Sequence, residues 1–198
     1  MYKTETIKIG LPKGNLYNKS IKFVEDFTHK SVPKNQLHIS FSNIDFYFLK
    51  HRDIPQLVEK EILDFGITSD EWIIETNTNT KRILETNWCD TTISLITAKG
   101  TEISDIKTCV SEYPFLTEKH LNNINKDIDI YYVSGSCESL VPTIFDSCVG
   151  CIETGETLKI NGLVVLKELT KSKTVLICNY SINDKLVQSF INQMEGLL

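Results

Sequence analysis

Arginine is nearly absent: Arg52 and Arg82 are the only two among 21 lysine and arginine residues. A surface that grips nucleic acid needs guanidinium forks and a positive balance. With 26 acidic residues the chain instead carries a net charge of -5, which excludes a general nucleic-acid surface and leaves open a local cationic pocket for a small phosphate ligand. Long apolar runs are missing too. Residues 163–166 and 175–178 are strand-sized, far below the roughly 20 residues a membrane helix requires, so no membrane span is expected. Met1-Tyr2-Lys3-Thr4-Glu5-Thr6 lacks the basic start and apolar core of a secretory signal, which predicts a cytoplasmic chain. Six cysteines (Cys89, Cys109, Cys137, Cys148, Cys151, Cys178) are too few and too deeply set among apolar neighbours for a disulfide framework, and read as reduced core thiols. There is no internal repeat and no low-complexity segment. What is present is ordinary globular material: 198 residues, 41% apolar and 24% charged, enough for one large domain or two small lobes.

Short β-rich runs alternate with amphipathic stretches, which predicts a three-layer α/β architecture with mostly parallel strands. Residues 6–11 read as the first strand, Pro12-Lys13-Gly14 as the turn after it, and Asn15 as the N-cap of a helix carrying Leu16, Ile21, Phe23, Val24 and Phe27. The polar segment 28–36 reads as a loop and 37–41 as a strand. Arg52-Asp53-Ile54-Pro55 opens a short helix through Lys60, since proline is tolerated in a first turn. A buried strand at 64–68 enters a helix at Ser69 or Asp70. Strands follow at 83–86 and 91–97, with Lys99-Gly100 as the break. The segment 106–144 then repeats the pattern: strand 107–110, helix Pro114–Leu121, strand 128–133, loop Ser134-Gly135-Ser136, and a helix from Cys137 or Glu138. Strands at 148–152, 162–169 and 174–179 come next, and 182–198 shows helical periodicity.

The segment 148–158 sets an apolar strand before Glu153-Thr154-Gly155-Glu156-Thr157 and a helical turn after it. Glycine permits the tight turn there, while successive N–H groups and threonine hydroxyls converge on one point, a compact anion site. Taken bare, Thr-Gly-x-Thr is more often an ordinary β-to-α turn. Its setting raises the phosphate reading, because open α/β sheets bind ligands at strand C-terminal ends and helix N-termini.

The same residues resemble the phosphoribosyl-diphosphate loop of the ATP phosphoribosyltransferase family. The match runs from Glu153 to Leu163, and other segments agree in order: Gly10-Leu11-Pro12-Lys13-Gly14, Arg52-Asp53-Ile54-Pro55 with Val58-Glu59, Asp64-Phe65-Gly66-Ile67-Thr68, Tyr113-Pro114, and Ser134-Gly135-Ser136 with Glu138. The length is similar to the short form, which lacks a C-terminal regulatory domain and works with a separate subunit resembling histidyl-tRNA synthetase. The resemblance implies a two-lobe α/β fold like that of periplasmic binding proteins (type II), with the active site in the cleft. Residues 1–88 with 180–198 would form the first lobe, and 89–179 the second, carrying the loop. It implies a glycosyltransferase (pentosyl transfer) that joins phosphoribosyl diphosphate to N1 of ATP with magnesium and releases pyrophosphate, the first step of histidine biosynthesis. It further implies a homo-oligomer, a dimer, within a hetero-oligomer. Attack by a substrate nitrogen needs no protein nucleophile.

By position, the resemblance places Glu153, Thr154, Gly155, Glu156, Thr157 and Leu158 on phosphoribosyl diphosphate, and Lys13 and Lys50 at the reacting phosphates. It places Pro12, Gly14, Asn15 and Asp70 on ATP, and Asp146 on the metal. The chain departs from the family mainly in charge. Asn15 and Thr108 stand where arginines are common, Lys34-Asn35 replaces another, and Gly150 aligns with an aspartate. The alternatives are therefore a divergent phosphoribosyltransferase with another acceptor, or a non-catalytic phosphosugar- or nucleotide-binding paralogue. Cys148-x-x-Cys151 is not read as a metal half-site, because residues three apart on a strand face opposite sides and no second pair exists.

Overall fold

In a computed structural model of the chain, residues 6–124, 127–194 and 196–197 are described. The chain divides into two compact units, 1–89 with 173–198, and 90–172. The return into the first unit thus comes at 173, earlier than the 180 expected, because residues 174–178 pair with a first-unit strand.

In the first unit β1 (Ile7–Pro12) is flanked by β3 (Ile44–Leu49) and β4 (Phe65–Ser69), both parallel to it. The edge strand β2 (His38–Phe41) runs antiparallel to β3, and the last residues of β9 (Leu163–Cys178) run antiparallel to β4. Side-chain alternation sorts the two faces. Ile9, Leu11, Phe46, Phe48, Phe65 and Ile67 bury against Phe23 and Val24 of α1 (Tyr17–Thr28) and Val187, Phe190 and Met194 of α6 (Asp184–Met194). On the other face Val175 and Ile177 meet Leu63 and, from α2 (Ile54–Glu59), Ile54 and Val58. Each such side chain contributes about 1.5–3 kcal/mol of burial, so both layers are firmly attached to the sheet. Strand β3 goes beyond the elements read from sequence. Asn15 does not cap α1: it lies in a 3-10 turn (Gly14–Leu16), and the helix starts at Tyr17 behind Leu16 with no side-chain cap.

The second unit pairs β5 (Lys81–Ala98) antiparallel with β8 (Ser147–Ile152), while β6 (Thr108–Ser111) runs parallel to both β8 and β7 (Asp129–Tyr132). Its core joins Ile96, Val110, Cys137, Val141, Cys148, Leu158 and Leu163. Two expected strand pairs, 83–86 with 91–97 and 162–169 with 174–179, are single long strands, β5 and β9, paired side by side. Their polar middles are where the chain passes between units. The helix expected from Cys137 or Glu138 is only a 3-10 turn, Glu138–Leu140. The cysteines are free thiols. Burial pushes Cys109 up to about 11, and the neighbouring Cys137 thiol together with burial raises Cys148, so both stay protonated and unreactive. Among the described residues no helix is long and apolar enough to cross a membrane.

Candidate functional site

The apolar strand β8 delivers the chain to Gly155, which adopts φ 71°, a left-handed conformation that glycine alone takes without strain. The short helix α5 (Glu156–Ile160) starts immediately after it, with no side-chain cap. Among the described residues the N–H groups of Thr154, Gly155, Glu156 and Thr157 meet no acceptor within the chain, and neither threonine hydroxyl is engaged. Thr154, Glu156 and Thr157 are exposed, whereas Leu158 is buried and packs in one cluster with Ile152. Asn161 closes the far end, its N–H and its Nδ2 both donating to the Thr157 carbonyl. The loop is therefore anchored from below while its donors stay open to solvent, the arrangement an anion needs. Glu153 and Glu156, both exposed, add negative charge to the loop.

In the first unit the predicted residues gather at the C-terminal ends of neighbouring parallel strands. Pro12 pairs with Leu49 in register, so Lys13 and Lys50 leave β1 and β3 side by side, on strands about 4.8 Å apart. The Lys13 N–H donates to the Leu49 carbonyl, and among the described residues neither ammonium group has an ion pair. Pro12 is buried, its carbonyl accepting from Ser20 Oγ at 2.7 Å, so it shapes the turn rather than facing solvent. Gly14 and Asn15 are exposed in the 3-10 turn. A pocket of about 290 Å³ opens beside them, lined by Lys13, Gly14, Tyr17, Asn35, Gln36 and Leu37. Of the last four, the sequence marks Asn35 only as replacing a family arginine, and it does not single out Tyr17, Gln36 and Leu37 as site residues. Tyr17 gives the only local signal, an aromatic at the helix start, and its hydroxyl donates to the Gln36 carbonyl.

Two acidic candidates are already committed elsewhere. Asp70 follows β4, but its Oδ2 accepts from the Lys173 N–H at 3.1 Å and from Arg82 Nη2 at 3.4 Å. It ties the start of the returning strand segment instead of presenting a free carboxylate to ATP. Asp146 precedes β8 and its Oδ2 accepts from the Lys107 N–H, the Thr108 N–H and the Thr108 hydroxyl, each at 2.9 Å. Those backbone donors hold its carboxyl below the usual range. It also stands at the opposite end of the six-residue β8 from the loop, about 20 Å away. A metal-ligand role beside the loop does not fit that position, and among the described residues no group of three His, Cys, Asp or Glu side chains could hold a metal.

His51 opens the 3-10 turn His51–Asp53, directly after Lys50. It is half-buried overall, its carbonyl accepts from the Thr68 hydroxyl at 3.3 Å, and its Nε2 is buried with no partner. Burial lowers its pKa to about 4, so the ring is neutral at pH 7.

A sequence model of the HisG family, described as ATP phosphoribosyltransferase, matches residues 50–196. The ATP phosphoribosyltransferase of Brachyspira hyodysenteriae is 28% identical over 206 residues, spanning 97% of this chain and 100% of the relative. The ATP phosphoribosyl transferase (HisG:HisZ) complex from Thermotoga maritima superposes with a TM-score of 0.84 at 21% identity, covering 96% of this chain and 98% of that one. The arginine-bound form of truncated ArgBP from the same organism superposes at 0.59, with 10% identity over 97% of this chain and 96% of that one. These structural likenesses show the fold, the α/β type expected.

Proposed function

The chain belongs to the ATP phosphoribosyltransferase family, and from that premise we propose that it transfers the 5-phosphoribosyl group of phosphoribosyl diphosphate to N1 of ATP. The adenine N1 lone pair forms the new bond to the anomeric carbon, the bond from that carbon to the diphosphate oxygen breaks, and the electron pair leaves with pyrophosphate. This is a pentosyl transfer of the kind that opens histidine biosynthesis, and a cytoplasmic location goes with it. One observation carries the reading: the unspent N–H groups and hydroxyls of residues 154–157 around the left-handed Gly155. They fit the terminal phosphate of the sugar, four amides and two hydroxyls meeting a dianion.

Lys13 and Lys50 act as neighbouring point charges on the anionic phosphates, which lowers the cost of charge building up on the leaving diphosphate. Gly14 and Asn15, on the same turn, are the candidates for the nucleotide. Magnesium, in this reading, arrives bound to the diphosphate as part of the substrate and is not held by a protein cage, since such ions keep most of their ligands from water and phosphate. A regulatory subunit resembling histidyl-tRNA synthetase is the proposed partner of a homodimer, supported by the fold shared with the HisG:HisZ complex.

The test is pyrophosphate release from ATP and phosphoribosyl diphosphate with magnesium, alone and with such a subunit. Turnover under either condition supports the reading. Thermal stabilisation by phosphoribosyl diphosphate without any turnover would instead make the chain a binding paralogue.

A further inference from the structure

Both arginines of the chain are engaged by carboxylates: Arg52 Nε lies 3.5 Å from Asp53, and Arg82 meets Asp70 and Glu85. The cations at the ends of β1 and β3, Lys13 and Lys50, are lysines, whose charge rides on a flexible four-carbon stem without the pre-organised fork of arginine. Lys50 is exposed, extended at φ -64° and ψ 135°, and has no ion pair among the described residues. Its direction depends on the main chain it leaves. The 3-10 turn after it is closed by the Asp53 N–H, which donates to the Lys50 carbonyl at 3.0 Å. The next peptide is held twice. The His51 carbonyl accepts from the Ile54 N–H, at the start of α2, and from the hydroxyl of Thr68, wholly buried on β4. The His51 ring is turned inward, with Nε2 buried and unpartnered, and burial keeps it neutral at pH 7. A third cation for the phosphates would face solvent and keep its proton, so the ring does not fill that role. Native folds rarely leave a buried nitrogen unpaired, and this one adjoins a residue placed at the reacting phosphates.

We infer that His51 is a positioning residue for Lys50: its buried ring, with the Thr68 hydroxyl on its carbonyl, holds the main chain from which the Lys50 ammonium reaches the diphosphate. This rests on the reading of Lys50 as a cation at the reacting phosphates. The ring acts by its bulk and not through its nitrogens, since Nε2 has no partner and a neutral ring offers no charge. Without it a void opens at the turn. A shift of about 1 Å in a reacting geometry lowers the rate by up to about 100-fold, so a turn free to move misplaces the ammonium against the charge it meets in the transition state.

The experiment is a double-mutant cycle on kcat/KM for phosphoribosyl diphosphate, read as pyrophosphate release at saturating ATP and magnesium, with Lys50→Met, His51→Ala and the pair. Lys50→Met lowers the value by about 100-fold. His51→Ala lowers it by about tenfold when Lys50 is present and by less than about twofold in the Lys50→Met background. His51→Phe, which refills the space without ring nitrogens, returns to within about threefold of wild type. Equal losses from His51→Ala in both backgrounds overturn the inference, because the ring then acts on the fold and not through Lys50. Wild-type turnover in His51→Ala overturns it too, as does a His51→Phe variant as impaired as His51→Ala, in which the nitrogens would be the working part. All three results leave the transfer reading standing. Should His51→Ala not fold, Thr68→Val removes the hydroxyl donor at nearly constant shape and enters the same cycle with the same expectation. Wild-type turnover in Lys50→Met takes Lys50 off the phosphates, and the inference falls with it. No turnover in wild type, with or without the regulatory subunit, removes the transfer reading itself and the inference that rests on it.

Discussion

Thr154 and Thr157 each differ from valine by one hydroxyl and are exposed, so replacing both removes two donors at almost constant shape. Hydrogen bonds to a charged group contribute about 1.5–3 kcal/mol each. Thr154→Val with Thr157→Val should therefore weaken phosphoribosyl diphosphate binding by roughly 100-fold in a titration, with an unchanged thermal midpoint. Unchanged affinity would move the site elsewhere. His51 predicts a pH dependence instead. Its folded pKa lies near 4 against 6.5 for the free side chain, because burial disfavours the charged ring. Above pH 6.5 both folded and unfolded chains hold it neutral and it contributes nothing. Between 6.5 and 4 only the unfolded chain takes the proton, so stability falls with pH by about 1.4 kcal/mol per unit. Urea unfolding at pH 7 and pH 5.5 should show wild type losing about 1 kcal/mol more than His51→Gln. Equal losses would mean that the ring is solvated in the folded chain.

At the level of elements, Asp146 is the junction that sets where β6 begins beside β8. Removing its carboxylate in Asp146→Ala leaves the Lys107 and Thr108 N–H groups without their acceptor, a loss of about 2–3 kcal/mol. Urea denaturation should show it, while the magnesium concentration needed for half-maximal turnover stays the same. A changed magnesium requirement with intact stability would restore the metal role. The candidate loop itself was legible in the sequence, since a strand, a turn glycine and two threonines within eleven residues specify their own backbone geometry. Strand β3 was not read, although Ile44, Phe46 and Phe48 alternate inward. The hairpin that joins it to β2 turns through Ser42 at φ 57°, without the glycine or proline that marks most turns. Strands β5 and β9 read as pairs because hydrophobic periodicity reports burial and not backbone continuity, and both are polar where burial lapses.

For the molecule as a whole, the magnesium reading makes a prediction that separates stability from turnover. Excess chelator should abolish pyrophosphate release yet leave the thermal midpoint unmoved, because a resident ion would have stabilised the fold by mass action. A fall in the midpoint on chelation would reveal a protein-held site. The sequence by itself determined the α/β class, the loop at 153–157 and the lysines at the first turns. These depend on periodicity and dihedral preferences acting over a few residues. Only the tertiary structure decided the work of the carboxylates. Asp70 answers to a backbone N–H 103 residues away, and Asp146 to donors 38 and 39 residues away. An acid's role follows from whichever donors the fold brings within 3 Å of it, and that distance is not written in the neighbours of any one residue.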